Sequence, residues 1–224
     1  TKQLCSRIIE PFGYAKILVT ATEFSNFFEL RCPKYEVSTG AIDREYFKSR
    51  KDLLNKFPNH ITEEIDWLYI NKSQAEIHIQ ALAESMWDAM NESIPKQLQA
   101  GEWHIPFFDQ YIESFLKSND NIQTQESILK ICTARAARLS YNNFEGEINY
   151  QKDIELHDRL LESKHTSPME HCARAMSEDE RAYYYKSDGP DPEDFETGWC
   201  RNFRGWIQYR YLIENNYEYT RTFR

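Results

Sequence analysis

Apolar residues recur at helical spacing in four stretches of this chain. In segment 22–31, Phe24, Phe27, Phe28 and Arg31 follow i, i+3, i+4, i+7. That spacing predicts a helix with one heavily aromatic side and Asn26 and Arg31 as its polar neighbours. Between 74 and 91, Ile77, Ile79, Leu82, Met86 and Met90 mark a second helix, ended by Ser93-Ile94-Pro95. Ile128, Leu129, Cys132, Ala136 and Leu139 mark a third over 125–139, in which Arg135 and Arg138 stand among small alanines. Alanines at those positions let another backbone or a ligand approach closely. An amphipathic run through Ile154, Leu156, Leu160 and Leu161 marks a fourth helix over about 150–163.

Weaker patterns fill the gaps. Segment 7–11 reads as the end of a helix stopped by Pro11 and Gly13, and 15–20 as a short β-prone run. Residues 33–72, rich in Lys, Asp, Glu and Asn and broken by Pro33, Gly40 and Pro58, read as an insertion. Its basic patch, Lys48-Ser49-Arg50-Lys51, is expected to be a solvated face. An extended connection at 101–108, a short helix at 109–116 and a polar loop at 118–124 follow, the loop being the candidate internal boundary. Residues 140–143 read as a turn. The acidic stretch 177–198, with Gly189, Pro190 and Pro192, reads as a mobile surface loop, and 202–210 as a strand alternating arginine and aromatic positions. No repeat at a solenoid period is present.

Composition narrows the class. A chain of 224 residues with 41% hydrophobic and 28% charged content can bury a substantial core. Fourteen Tyr, 13 Phe and 5 Trp against 7 Gly supply rings for cores and for slots that take flat heterocycles. A net charge of −9 argues against direct nucleic-acid binding, while leaving room for a small phosphorylated ligand held by local arginines. No run approaches the roughly 20 apolar residues of a membrane span, and the first residues lack the apolar core of a signal peptide. Five scattered cysteines without a C-x-x-C pair fit reduced thiols in a cytoplasm, a host cytoplasm if the source is viral.

The densest chemistry lies in His165-Thr166-Ser167-Pro168-Met169-Glu170-His171, which holds two imidazoles, two hydroxyls and one carboxylate. Pro168 blocks a continuous helix, so these groups belong to a helix end or turn. Spacing alone leaves two readings open, an anion or cofactor site and a well-capped helix start. The same proline breaks the register that a His/Glu/His metal site would need, and no cysteine lies near. No P-loop, G-x-G-x-x-G, G-x-S-x-G or H-E-x-x-H occurs. Arg7, Arg31, Arg138, Arg204 and Arg210 stand beside aromatic or small residues, where guanidiniums suit phosphates and ring faces. Residue chemistry therefore points to a nucleotide or flavin site.

Arg135-Ala136-Ala137-Arg138-Leu139-Ser140-Tyr141, followed some two dozen residues later by the His165–His171 stretch, resembles the N-terminal part of flavin-dependent thymidylate synthases. That family reads A-A-R-x-S-[YF], a helix, then H-x-[ST]-P-[FM]-E-H. The first half of the chain is similar to the family's C-terminal part: 7–11 to its R-x-x-L-P, 26–31 to its N-F-L-x-L-R and 74–77 to its Q-x-E-I. The order is swapped, as in permuted, phage-type members. The resemblance implies one thymidylate-synthase-like domain over 1–224. Segment 1–117 then carries the family's C-terminal part with the 33–72 insertion, and 124–224 its N-terminal part. It implies an α+β fold, a mixed sheet flanked by helices, assembled as a homotetramer. It implies FAD as cofactor, and methylation of dUMP to dTMP using methylenetetrahydrofolate and NADPH. By motif position Arg7 and Arg31 hold dUMP, while Asn26, Ser140, His165, Ser167, Glu170 and Arg210 contact FAD, with His165 near the isoalloxazine and folate.

Two departures qualify that expectation. The family's R-H-R-x-x-S-x-N-x-x-S-x-R-Y signature is missing; Arg204–Arg210 resembles only its beginning, with Gln208 and Tyr209 where Arg and His stand. Lys72 replaces the folate-stacking His that precedes Q-x-E-I. Permuted members carry the signature in an N-terminal segment, and Thr1 follows where that segment would lie. The chain is accordingly expected to be such an enzyme or its C-terminal part, one piece of a split or truncated enzyme completed by a partner chain. The alternatives are a flavin-dependent deoxypyrimidine monophosphate hydroxymethylase for modified DNA, and a non-catalytic subunit of such an enzyme.

Overall fold

The computed structural model describes residues 16–40, 42–59, 64–109, 112–114, 125–139, 149–187 and 195–215. The elements expected at 7–11, 118–124 and 140–143 lie outside them. The chain divides into two compact units, Glu23–Gln97 and Thr1–Thr22 with Leu98–Arg224.

In the Glu23–Gln97 unit, helix α1 (Ser25–Arg31) turns Phe28 inward, 2% exposed. Phe28 meets Trp87 edge to face with ring centroids 5.2 Å apart, and Ala83, Phe24, Phe27 and Met86 complete that cluster. Strands β1 (Tyr35–Ser38) and β2 (Arg44–Phe47) form an antiparallel hairpin, and strand alternation sends Tyr35 and Val37 to the buried face. Helix α2 (Arg50–Lys56) begins at Ser49, whose hydroxyl accepts from the Asp52 N–H at 3.0 Å. Leu53 of α2 and Trp67 of α3 (Glu64–Ile70) close a second core over Tyr35 and Val37. Segment 33–72, read from the sequence as an insertion, thus supplies this unit's second core. Its basic patch faces carboxylates: Lys48 pairs with Glu29, Arg50 lies 4.0 Å from Glu84, and Lys51 pairs with Glu92. Helix α4 (Ile77–Glu92) starts at Glu76, which caps the His78 and Ile79 N–H groups.

The other unit is built on a three-stranded antiparallel sheet. Its order is β3 (Trp103–His104), β4 (Ala173–Ala175), β9 (Trp206–Gln208). Helices α5 (Gln125–Arg138) and α6 (Tyr150–Glu162) pack side by side. Helix α5 buries Leu129, Ile131, Cys132 and Ala136, and α6 is capped by Asn149, whose side chain accepts from the Lys152 N–H. Leu129 packs with Met169, Cys172 and Tyr209 in a fully buried cluster. Residues 112–114 are helical, within the expected 109–116 helix.

A mobile loop was expected over 177–198; residues 177–187 and 195–197 instead form regular elements, and 188–194 lie outside the described residues. Helix α7 (Glu178–Tyr183) opens with a capping box between Ser177 and Glu180. The acidic residues Glu178, Asp179 and Glu180 occupy its first turn, where the helix dipole favours negative charge. Strands β5 (Tyr185–Ser187) and β6 (Phe195–Thr197) then pair antiparallel. Segment 202–210 is not one strand. Strand β7 (Trp199–Cys200) pairs with β8 (Phe203–Arg204), Gly205 turns at φ 79°, and the chain passes through β9 into helix α8 (Tyr209–Glu214). Nor do residues 16–20 form a strand; Thr20 is bonded to His171, and Thr22, just beyond, accepts from the Arg204 N–H. The class is α+β, with small antiparallel sheets among the described residues. No helix among them is long and apolar enough to cross a membrane.

Candidate functional site

The His165–His171 stretch is placed by the way α6 ends. The Lys164 N–H donates to Leu161 O at 3.0 Å and the His165 N–H to Leu160 O at 2.8 Å. Lys164 takes the left-handed conformation, φ 58°. This is the Schellman pattern of a helix end, with lysine where glycine is usual. It sets His165 just beyond the helix, exposed, with Nδ1 2.9 Å from Ser163 Oγ. A 3-10 turn then spans Ser167–His171. Pro168 fits its first residues because an N–H there needs no partner within the turn. Met169, fully buried, anchors the turn in the core.

Beside this turn lies a cavity of about 750 Å³. Lys16, Ile17 and Leu18 form one wall, Ala136–Leu139 at the end of α5 a second, and Leu156, Arg159 and Leu160 of α6 a third. His165, Ser167, Pro168 and His171 complete the lining. Three cationic side chains, two imidazoles and a hydroxyl line the cavity together with aliphatic carbon, and among the described residues no carboxylate does. Ala136 and Ala137 of α5 are among the residues that line it.

Two side chains there have their environment set by burial. Asp153, 3% exposed at its side chain, sits with Oδ1 2.8 Å from Arg138 Nη1. That oxygen receives no directed hydrogen bond, so the contact is an ion pair of poor hydrogen-bond geometry. Burial raises the Asp153 pKa and outweighs the pull of Arg138 and Arg135. His171 is half-buried, its Nδ1 2.9 Å from Thr20 Oγ1. Burial lowers its pKa against the opposing charge of Glu170.

Of the residues expected to contact a cofactor, His165 and Ser167 line this cavity. Glu170 and Arg210 do not; they form an ion pair with each other, part of a network joining the 3-10 turn to α8. Arg210 Nε also donates to Glu214 Oε1 at 2.7 Å, Thr166 Oγ1 to the same oxygen at 3.0 Å, and Arg201 pairs with Glu214. Arg210 and Arg201 hold the Glu214 carboxyl down at about 2. Asn26 and Arg31 are exposed on α1 in the Glu23–Gln97 unit. Arg7 and Ser140 lie outside the described residues. Lys72, at the expected folate-stacking position, donates through Nζ to Tyr69 O at 3.0 Å.

Sequence reasoning missed Lys16 and Arg159 as lining residues, while His171 belonged to the stretch it singled out. Arg159 had a readable signal, since Leu156, Arg159 and Leu160 share a face at i, i+3, i+4. Lys16 had none, because its place depends on contacts remote in sequence. Among the described residues no group of three His, Cys, Asp or Glu is arranged to hold a metal. No family model, curated protein or solved structure matches this chain.

Proposed function

We propose that the cavity binds the phosphate-bearing part of FAD and that the chain serves flavin-dependent methylation of dUMP to dTMP. Methylenetetrahydrofolate would supply carbon and NADPH hydride. The observation that carries this reading is the convergence of two blocks remote in sequence. Ala136–Leu139 and four residues of the 165–171 stretch (His165, Ser167, Pro168 and His171), both blocks of the part that resembles the family's N-terminal segment, line one cavity with three cations and, among the described residues, no carboxylate. Lys16, Arg138 and Arg159 suit the oxygens of a diphosphate. The Ser167 hydroxyl suits a ribityl or ribose hydroxyl, and Leu156, Leu160 and the alanines suit an apolar ring. Bound flavin supplies redox chemistry; the residues of this chain bind, orient and screen it. In this reading the fold is the permuted, mixed-sheet form of that family, working in the cytoplasm as a homotetramer or with a chain that carries the missing dUMP-gripping signature.

A second reading, a flavin- or nucleotide-binding subunit without catalysis, is favoured by the Glu170–Arg210 pair, which turns two expected ligand contacts toward each other. A visible spectrum and a fluorescence titration with FAD test the common part. The expected outcome is flavin absorbance and saturable quenching, weakened at least about tenfold in Arg159→Ala, as for loss of a charge-assisted bond. A colourless protein with no quenching sinks both readings. NADPH-dependent dTMP formation, with and without a signature-bearing partner, separates the enzyme from the binding subunit.

A further inference from the structure

We propose that Thr20 is a positioning residue for this cavity: its hydroxyl donates to Nδ1 of His171 and holds the imidazole as the Nε2–H tautomer, a donor to an anionic ligand. The ligand-facing half of this inference rests on the cavity being an anion site. The bond between Thr20 and His171 does not.

A neutral imidazole has one donor and one acceptor nitrogen; a hydroxyl can serve either, and the role the Thr20 hydroxyl takes at Nδ1 fixes what Nε2 offers. Thr20 Oγ1 lies 2.9 Å from Nδ1, across 151 positions of sequence. That leaves Nε2 as the ring atom open to an occupant, and His171 lines the cavity. Burial keeps the ring neutral near pH 7, so its tautomer matters. Lys16, Arg138 and Arg159 select an occupant rich in acceptor oxygens. Such an occupant is met by Nε2–H and repelled by the lone pair of the opposite tautomer.

Thr20 also holds the wall itself. Residues 16–20 have no regular secondary structure, and exposure alternates from Ile17 to Thr20. Ile17 and Val19 are 80% and 59% exposed, while Leu18 and Thr20 are half-buried. This extended run is tied down by Thr20 on His171 and by Thr22, whose Oγ1 accepts from the Arg204 N–H at 2.9 Å. The first tether lies closer to Lys16, Ile17 and Leu18, the three residues the run contributes to the cavity.

Long-range ¹⁵N–¹H NMR of the full chain labelled at histidine nitrogen reads the tautomer directly, with His171→Gln assigning the signal. The expected wild-type result is an unprotonated Nδ1 and a protonated Nε2 on His171. Thr20→Val keeps the shape and removes the donor. It should give nitrogen shifts averaged between tautomers and weaken FAD binding about threefold to tenfold, the worth of one ordinary hydrogen bond. Thr20→Ser should restore both. A wild-type His171 protonated on Nδ1, or a Thr20→Val spectrum with the tautomer unchanged, overturns the proposal, as does unaltered FAD affinity in Thr20→Val. A wild-type chain that shows the Nε2–H tautomer but no FAD binding removes the flavin reading and leaves the Thr20–His171 assignment standing.

Discussion

His157 shows how one buried side chain ties stability to pH. It is 1% exposed on α6, with Nε2 3.1 Å from the Tyr209 hydroxyl and Nδ1 3.0 Å from Asp158. Burial pushes its pKa below the ordinary 6.5, against the hydrogen bond it makes to the Asp158 carboxylate, and burial lowers His104 and His171 in the same direction. Below about 6.5 the unfolded chain takes up protons that the folded chain refuses, so stability present above that pH is lost as pH falls toward the folded-state values. Urea midpoints should therefore drop between about pH 7.5 and about pH 5.5. His157→Gln should show a shallower drop, and equal midpoints in the wild type would contradict the assignment. Neither the burial of His157 nor its tyrosine partner was legible in the sequence, where it was one more polar position on an amphipathic helix.

Helix α7 makes the same point for an element. An acidic, proline-bounded stretch has the composition of a loop, yet Ser177-Glu178-Asp179-Glu180 also spells a capping box. Tertiary context chose the helix, because Glu180 has a second task. Its carboxylate takes both guanidinium nitrogens of Arg174 on β4, at 2.6 and 3.1 Å, with both side chains about nine-tenths buried. Glu180→Ala removes a cap and leaves Arg174 buried without a counter-charge, at an expected cost of about 3–5 kcal/mol. Chemical denaturation measures it, and a loss under about 1 kcal/mol would show a pair no better than a surface one. The long helices needed no such context. Segments 125–139 and 150–163 fall within a residue of α5 and α6, because their apolar faces repeat at the helical period and Asn149 supplies a local cap.

At the scale of the molecule, Glu23–Gln97 is one contiguous segment with two hydrophobic clusters of its own. Such a segment can fold alone, although a core of this size is marginal. Expressed by itself it should melt cooperatively and give a near-UV signal from Trp67 and Trp87, whose rings pack edge to face on Tyr35 and Phe28. A gradual, non-cooperative melt would show that its core depends on the rest of the chain. The charge of the whole chain is also misleading about its site. Against a net −9, the cavity collects Lys16, Arg138 and Arg159, with no carboxylate in its lining among the described residues.

The sequence by itself determined the four principal helices, the α+β class, and the placing of His165–His171 at a helix end, since periodicity and a proline act within a few residues. It also marked Arg138 and its alanines as a place for close approach. Only the tertiary structure decided which charges face the cavity and which cancel. Glu170 and Arg210 stand 40 positions apart and neutralise each other, while Thr20 reaches His171 across 151. Ion pairs and tautomer-setting hydrogen bonds depend on distances of a few ångströms, and no local pattern encodes a distance between residues so far apart in the chain.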